Sequence, residues 1–510
     1  MNAPETATLG PLAEPVRARI AAMARDRTVE RIWERDHTVW RDDPTEIADR
    51  LGWLDVAGVL RPRLDELTRF GRQAAAGGFT GAVLLGMGGS SLAPETMRRT
   101  LGVAAGAIDV RVLDSTHPDA VRRIEREMDL RRTLFVVASK SGSTIETLSH
   151  LQYFYGRVQR GTHFVAITDP GSPLEALAGK HEFAGLFLNP DDIGGRFSAL
   201  SLFGLVPAAL IGADLDALAA GALAMAARCR APAGDNPGAL LGAALGEAAL
   251  SGRDKASFVY PDALAPLGAW VEQLVAESTG KDGRGILPVA GEPAGDAAVF
   301  GDDRIFVDTG GHDWVAASGA PRLVIESGGA SPAETLGAEF FRLEFATAVA
   351  GHVLGIHPFD QPDVASAKQA TSEILDAGGA AVPSFEDPAA VLDPAPAYCA
   401  ILAFVDPSDQ NAARLERIRT AIRDRLRIAV TTGFGPRYLH STGQVHKGGP
   451  PGGGFLVVTD EAHPDDVGIP GRGFTFGTLI DAQAEGDLRA LRAAGRRVAR
   501  VRMQDLEAFA

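Results

Sequence analysis

Residues 133–147 read Thr-Leu-Phe-Val-Val-Ala-Ser-Lys-Ser-Gly-Ser-Thr-Ile-Glu-Thr. Thr133–Ala138 is an apolar run with the look of a strand buried on both faces. The next six residues hold four hydroxyls (Ser139, Ser141, Ser143 and Thr144) and Lys140, and they open a helix. Backbone N–H groups point outward where a helix begins, so this set can satisfy the oxygens of a phosphate. A single serine followed by Glu146 would be explained as a helix cap. The density of hydroxyls is more than a cap requires.

Working outward, the same strand-and-crossover rhythm repeats. Short valine- and leucine-rich runs at Gly81–Leu85, Asp109–Leu113, Thr133–Ala138, His163–Ile167 and Gly185–Leu188 alternate with longer amphipathic segments. This alternation predicts a parallel sheet covered by helices on both faces. A Gly/Ala/Pro-rich passage, Gly212–Gly238, reads as a linker containing one helix. A second alternation follows, with candidate strands Ala256–Tyr260, Arg304–Val307, Arg322–Ile325, Ala400–Phe404, Ile428–Thr431, Phe455–Val458 and Val498–Arg502. Before both lies a helical stretch in which Ala13–Arg27 repeats apolar positions at helical spacing. The fold class expected is therefore α/β: two doubly wound units with mostly parallel sheets covered by helices, plus an N-terminal helical segment. The boundaries are 1–75 for the helical segment, 76–212 for the first unit with its phosphate-binding loops, and 213–510 for the second with a C-terminal extension. Pro383–Pro396 and Gly448–Gly454 read as surface loops.

Composition narrows the function. Acidic residues exceed basic ones by 15 across 510 residues, and no lysine- or arginine-rich run with interleaved aromatics is present, so nucleic acid is not expected as a partner. No apolar run reaches the roughly 18 residues of a membrane span, so no membrane association is expected. The first residues, Met-Asn-Ala-Pro-Glu-Thr, lack the pattern of a signal peptide. Cys229 and Cys399 alone give neither a disulfide framework nor a metal cluster. A reducing cytoplasm fits best. A small anionic substrate is compatible with the acidic balance, because a few local donors can hold it.

Four further motifs carry chemistry. Gly86-Met87-Gly88-Gly89-Ser90-Ser91 lies between a strand and a helix; its glycines let the backbone approach an anion. A dinucleotide fingerprint would need a third glycine where Ser91 stands, which weakens an oxidoreductase reading. Asp192-Ile193-Gly194-Gly195-Arg196-Phe197-Ser198 places an arginine after two glycines, so backbone and guanidinium can meet one ligand. In Gln273–Lys281, Gln273 and Glu277 are four apart and share a helix face; Glu277 lies near the helix end at Gly280, a setting for a base. In Phe359–Lys368, Gln361 and Lys368 are two helical turns apart and can face one cleft.

In order and in internal spacing these five segments resemble glucose-6-phosphate isomerase, a family built of sugar-isomerase (SIS) domains. The late stretch Gly435–Gly449 also looks like the isomerase half of bacterial proteins that fuse transaldolase to this enzyme. About 80 residues precede the first sheet, too few for a barrel of some 250, so transaldolase activity is not expected. The resemblance implies reversible interconversion of glucose 6-phosphate and fructose 6-phosphate through a cis-enediol, with no metal and no redox cofactor. It implies that Gly89, Ser90, Ser139, Lys140, Ser141 and Thr144 hold the sugar phosphate, with Gly195 beside them. Glu277 would move the proton between C1 and C2, and Arg196 would stabilise the enediolate. Gln273, Glu146 and Gln361 would line the sugar, and Lys368 would assist ring opening beside a histidine. In the family that histidine comes from the partner subunit, which implies a homodimer. His312, between glycines and an aspartate, is the first choice; His352 and His357 fall in the same interval, and His440 and His446 are outside candidates. The alternatives are a non-catalytic SIS sugar-phosphate sensor and an isomerase of another phosphosugar such as mannose 6-phosphate.

Overall fold

The computed structural model describes residues 8–381, 383–461 and 467–510. Among them thirteen strands form three parallel sheets. The first contains β1 (Gly81–Gly86), β2 (Asp109–Leu113), β3 (Thr133–Ala138), β4 (Phe164–Thr168) and β5 (Gly185–Leu188), ordered β2-β1-β3-β4-β5. The winding reverses between β1 and β3, and open α/β sheets bind ligands at that reversal, beyond the carboxyl ends of the strands. Gly86 is the register partner of Ala138. The glycine turn after β1 and the hydroxyl turn after β3 therefore leave the sheet side by side.

The α/β class with parallel, helix-covered sheets and a helical N-terminal segment is what the sequence predicts. The number of sheets differs: residues 213–510, expected as one unit with an extension, hold two sheets. One is β6 (Lys255–Val259), β7 (Leu287–Ala290), β8 (Arg304–Thr309) and β9 (Arg322–Ile325), ordered β7-β6-β8-β9. The other is β10 (Tyr398–Phe404), β11 (Ala429–Phe434), β12 (Gly453–Thr459) and β13 (Arg497–Val501), ordered β11-β10-β12-β13. Apolar runs announce strands without saying which sheet each joins. The unread strand is β7, only four residues long and containing Pro288. It lies at a sheet edge, where a missing N–H is tolerated.

Nine helices matter for the site: α1 (Leu92–Leu101), α2 (Ile145–Val158), α3 (Leu215–Arg228), α4 (Pro237–Leu250), α5 (Leu267–Thr279), α6 (Pro332–Leu354), α7 (Val364–Asp376), α8 (Gly443–Gly448) and α9 (Phe476–Ala493). The hub is α6, buried along nearly all of its 23 residues and flanked by α3 and α4. Each large apolar side chain it buries, such as Phe340 or Leu336, contributes about 1.5–3 kcal/mol. Gly212–Gly238 is thus more than a linker: its helix, α3, buries Leu215, Leu218, Ala222 and Met225. Within the expected surface loop Pro383–Pro396 a short helix, Ala389–Leu392, buries Val391 and Leu392.

The N-terminal helices close the hub. The Trp33 ring stacks on Phe341 and Phe345 of α6 at 5.9 Å each, and Trp40 donates its indole N–H to the Ala348 carbonyl at 2.8 Å. These pairs combine apolar area with a satisfied polar tip. The Gly52 N–H donates to the Asp192 carbonyl at 2.9 Å, so this segment also holds the loop after β5 in place. The second and third sheets are braced by Glu292, which pairs with the fully buried Arg304 of β8 and lies 3.9 Å from Arg423 of the third unit. Among the described residues no helix is long and apolar enough to cross a membrane.

Candidate active site

The turns after β1 and β3, the loop after β5, helix α5 and the segment after β11 enclose one cleft of about 610 Å³. Its floor is backbone. Gly88 has φ +55°, a conformation side chains avoid, and a Cβ there would stand 2.7 Å from the Gln273 amide. A Cβ on Gly89 would stand 1.9 Å from the Gly195 carbonyl oxygen. The two glycine motifs are therefore one surface, pressed together at a distance only glycine permits.

In the hydroxyl turn, Ser139 Oγ lies 2.9 Å from Thr144 Oγ1 and accepts the Gly142 N–H at 3.1 Å. Ser141 and Ser143 pair at 3.0 Å. Thr144 occupies the cap position of α2, yet its side chain makes no capping hydrogen bond. The free N–H groups of the α2 start are thus left for an anion. Lys140 lines the same cleft, but its ammonium is taken by the Asp169 carboxylate and by the Asp191 carbonyl at 3.0 Å. Burial pushes Asp169 above the usual carboxylate range, against the pull of Lys140.

Across the cleft, α5 presents Gln273 and Glu277 one turn apart, 4% and 5% exposed. The Gln273 amide donates to Glu277 Oε2 at 3.1 Å and to the His440 carbonyl at 2.8 Å. Arg196 Nε is 3.9 Å from Glu277 Oε2. The guanidinium donates to the carbonyls of Pro358, Phe359 and Asp360 at 3.1, 2.7 and 3.0 Å and to Ser278 Oγ at 3.2 Å. Burial pulls Arg196 below its usual range, opposed by Glu277 and Asp360. The result is a fixed, desolvated cation beside a buried carboxylate, aimed into a space lined by anion donors. Such preorganised charge is worth far more than the same groups in water.

Gly89, Ser90, Ser139, Lys140, Ser141 and Thr144 line the cleft, as do Gly195, Arg196, Gln273, Glu277, Gln361 and Lys368. Glu146 stands just behind it, 4% exposed, with Oε1 3.1 Å from His440 Nε2. Burial alone would raise Glu146; the charge and hydrogen bond of His440, with a smaller contribution from the Lys368 charge, bring it below the usual range.

Within this chain His312, the first choice for a histidine delivered from a partner subunit, does not line the cleft. It follows β8, where its Nδ1 lies 2.6 Å from the buried Asp308 carboxylate. His352 binds the Val39 carbonyl at 2.8 Å and His357 the Thr45 carbonyl at 3.1 Å. His446 is fully buried, which drives its pKa well down. Among the described residues His440 alone of the histidines lines the cleft, brought there by the third sheet of the same chain. Its context, Tyr438-Leu439-His440-Ser441, gives no local hint of that, because Glu146 is 294 residues away in sequence. Glu46, Asp49, Arg50, Asp169 and Asp191, to which no sequence motif gives a role, also line the cleft.

Comparison with known proteins places the chain among relatives. The family model described as phosphoglucose isomerase matches residues 26–287. A glucose-6-phosphate isomerase of Thermosynechococcus vestitus is 34% identical over 262 residues, 48% of this chain and 49% of that protein. This chain therefore spans about half the length of that relative. A glucose-6-phosphate isomerase of Rubrobacter xylanophilus is 29% identical over 61% of this chain and 86% of its own length. The crystal structure of a hypothetical protein from Thermus thermophilus superposes with a TM-score of 0.63 at 27% identity, covering 73% of this chain and 99% of that one. That of a glucose-6-phosphate isomerase from Chlamydia trachomatis gives 0.57 at 21% identity over 71% and 86%, a likeness of fold. The matched half of the chain carries both anion-binding turns, Arg196 and Glu277, and by that match the chain belongs to the phosphoglucose isomerase family.

Proposed function

We propose that this chain interconverts glucose 6-phosphate and fructose 6-phosphate by moving a proton between C1 and C2. The observation that carries the reading is that Glu277 and Arg196 face the same cleft as the Ser139–Thr144 turn. The phosphate would rest on the turns after β1 and β3, far from the reacting carbons, so that its binding energy positions the sugar. Glu277 would take the proton from one carbon and return it to the other. Arg196, held by three carbonyls, would face the enediolate oxygen; a guanidinium suits that task because it keeps its proton. His440, oriented by the Glu146 carboxylate, would exchange the proton that opens the ring, with Lys368 nearby. The pairing of an imidazole with a buried carboxylate that fixes its orientation follows the general logic of acid–base dyads. Gln273 and Gln361 would contact the sugar hydroxyls.

A cytoplasmic location and the domain boundaries 1–75, 76–212 and 213–510, the last now divided between two sheets, belong to the same proposal. A homodimer does too, but the chemistry proposed here does not need one, since His440 is supplied within the chain.

The purified full chain given fructose 6-phosphate, with glucose-6-phosphate dehydrogenase as the coupling enzyme, should produce glucose 6-phosphate at a rate proportional to protein. Absence of product at every protein concentration would refute the isomerase reading and leave sugar-phosphate sensing. Running the assay with mannose 6-phosphate as substrate measures specificity. Ser139→Ala should raise KM about tenfold, as expected for loss of a hydrogen bond to a charged group, with kcat changed less than threefold. A loss confined to kcat would move the phosphate elsewhere.

A further inference from the structure

Building on the isomerase reading, we infer that Gln483 is a positioning residue: helix α9 of the third sheet reaches into the first sheet to hold Glu146, and through it the His440 ring, in place. Gln483 is 2% exposed. Its amide donates to Glu146 Oε1 at 2.8 Å, and its carbonyl accepts from Thr116 Oγ1 at 2.6 Å. The two contacts agree on one orientation, because an ionised carboxylate can only accept and the threonine hydroxyl is the donor at the other end. The same Glu146 oxygen receives His440 Nε2. Two donors from the third unit therefore meet on one atom of the first, and the carboxylate is pinned about a terminal torsion that is otherwise soft.

The charges around Glu146 are few. His440 and Lys368 favour its anion. His150, one turn along α2, is buried with its pKa pushed down to about 4, so it is neutral near pH 7, and its Nε2 contacts the Ser115 carbonyl at 3.0 Å. Asp487, one turn along α9 from Gln483, is turned away to Lys447 and Tyr438. Gln483 is thus the uncharged donor that keeps a buried anion in register with a ring on the opposite wall. Replacing it with leucine removes that donor. The Glu146 carboxyl should then titrate at higher pH, and the acid limb of kcat should follow it upward, since the dyad needs the anion.

The experiment compares Gln483→Leu, Thr116→Val and Thr116→Ser in the full chain. It follows kcat and KM across pH and titrates Glu146 by carbon NMR of labelled glutamate, assigned with Glu146→Gln. Gln483→Leu should lower kcat about tenfold with KM within twofold, and should raise both the acid limb and the Glu146 midpoint. Thr116→Val, which frees the amide to flip, should move in the same direction by less, and Thr116→Ser should restore wild-type values. An unmoved Glu146 midpoint in folded Gln483→Leu overturns the inference. Should Gln483→Leu fail to fold, the Thr116 pair decides, with Thr116→Val indistinguishable from wild type as the overturning result. If the wild-type chain proves inactive, the isomerase reading fails, while the Glu146 titration still decides whether Gln483 holds that carboxylate.

Discussion

Glu277→Gln should lower kcat by at least about 10²-fold while leaving KM for fructose 6-phosphate within about threefold. Glutamine keeps the volume and can still accept from Gln273, so the 3.1 Å contact along α5 need not break. Arg196 keeps four other acceptors, the carbonyls of Pro358, Phe359 and Asp360 and the Ser278 hydroxyl. It is therefore not stranded as a bare buried charge, and the fold should survive. What disappears is the only buried carboxylate of α5 that lines the cleft, and with it the group able to hold a proton between the two carbons. Solvent exchange at C2 followed by NMR should stop along with turnover. Turnover close to wild type would place the base on another residue.

The second large effect separates two histidines. His440→Asn should reduce kcat/KM by about 10²-fold, whereas His312→Asn should leave it within twofold. The Gln273 contact is to the backbone carbonyl of His440, so the substitution does not disturb the neighbouring wall. Glu146 retains its hydrogen bond from Gln483. His312 is bound to Asp308 beyond the end of β8, outside this chain's cleft. The opposite outcome, a large loss in His312→Asn with activity falling on dilution, would mean that a second copy of the chain delivers its own histidine to the site.

Much of this was legible in the sequence. The run Thr133–Ala138 coincides with its strand, because a strand covered on both faces leaves an uninterrupted apolar signature; Arg322–Ile325 coincides with an edge strand whose burial alternates. The glycine and hydroxyl turns were legible too, since their chemistry is concentrated within a few residues. The third sheet was not, because pairing among β10–β13 is a long-range choice that leaves no local trace. His440, an outside candidate behind His312, was hard to single out for the same reason: its spatial neighbour Glu146 lies nearly 300 residues away in sequence. Lys140 shows a subtler gap. The sequence offers a cation in the anion turn, while the structure gives it to Asp169.

The cleft lining holds six carboxylates (Glu46, Asp49, Asp169, Asp191, Asp192 and Glu277) against four fixed cations, Arg50, Lys140, Arg196 and Lys368. Arg50 and Lys140 are already paired with such acids, and the whole chain carries a net charge of −15. A dianionic sugar phosphate, the substrate proposed above, would approach a mouth that repels it and would be captured at contact range by hydroxyls and N–H groups. Adding inert salt from low ionic strength should shield that repulsion and accelerate encounter, so that kcat/KM rises before it levels off, the reverse of an enzyme that draws its substrate in from afar.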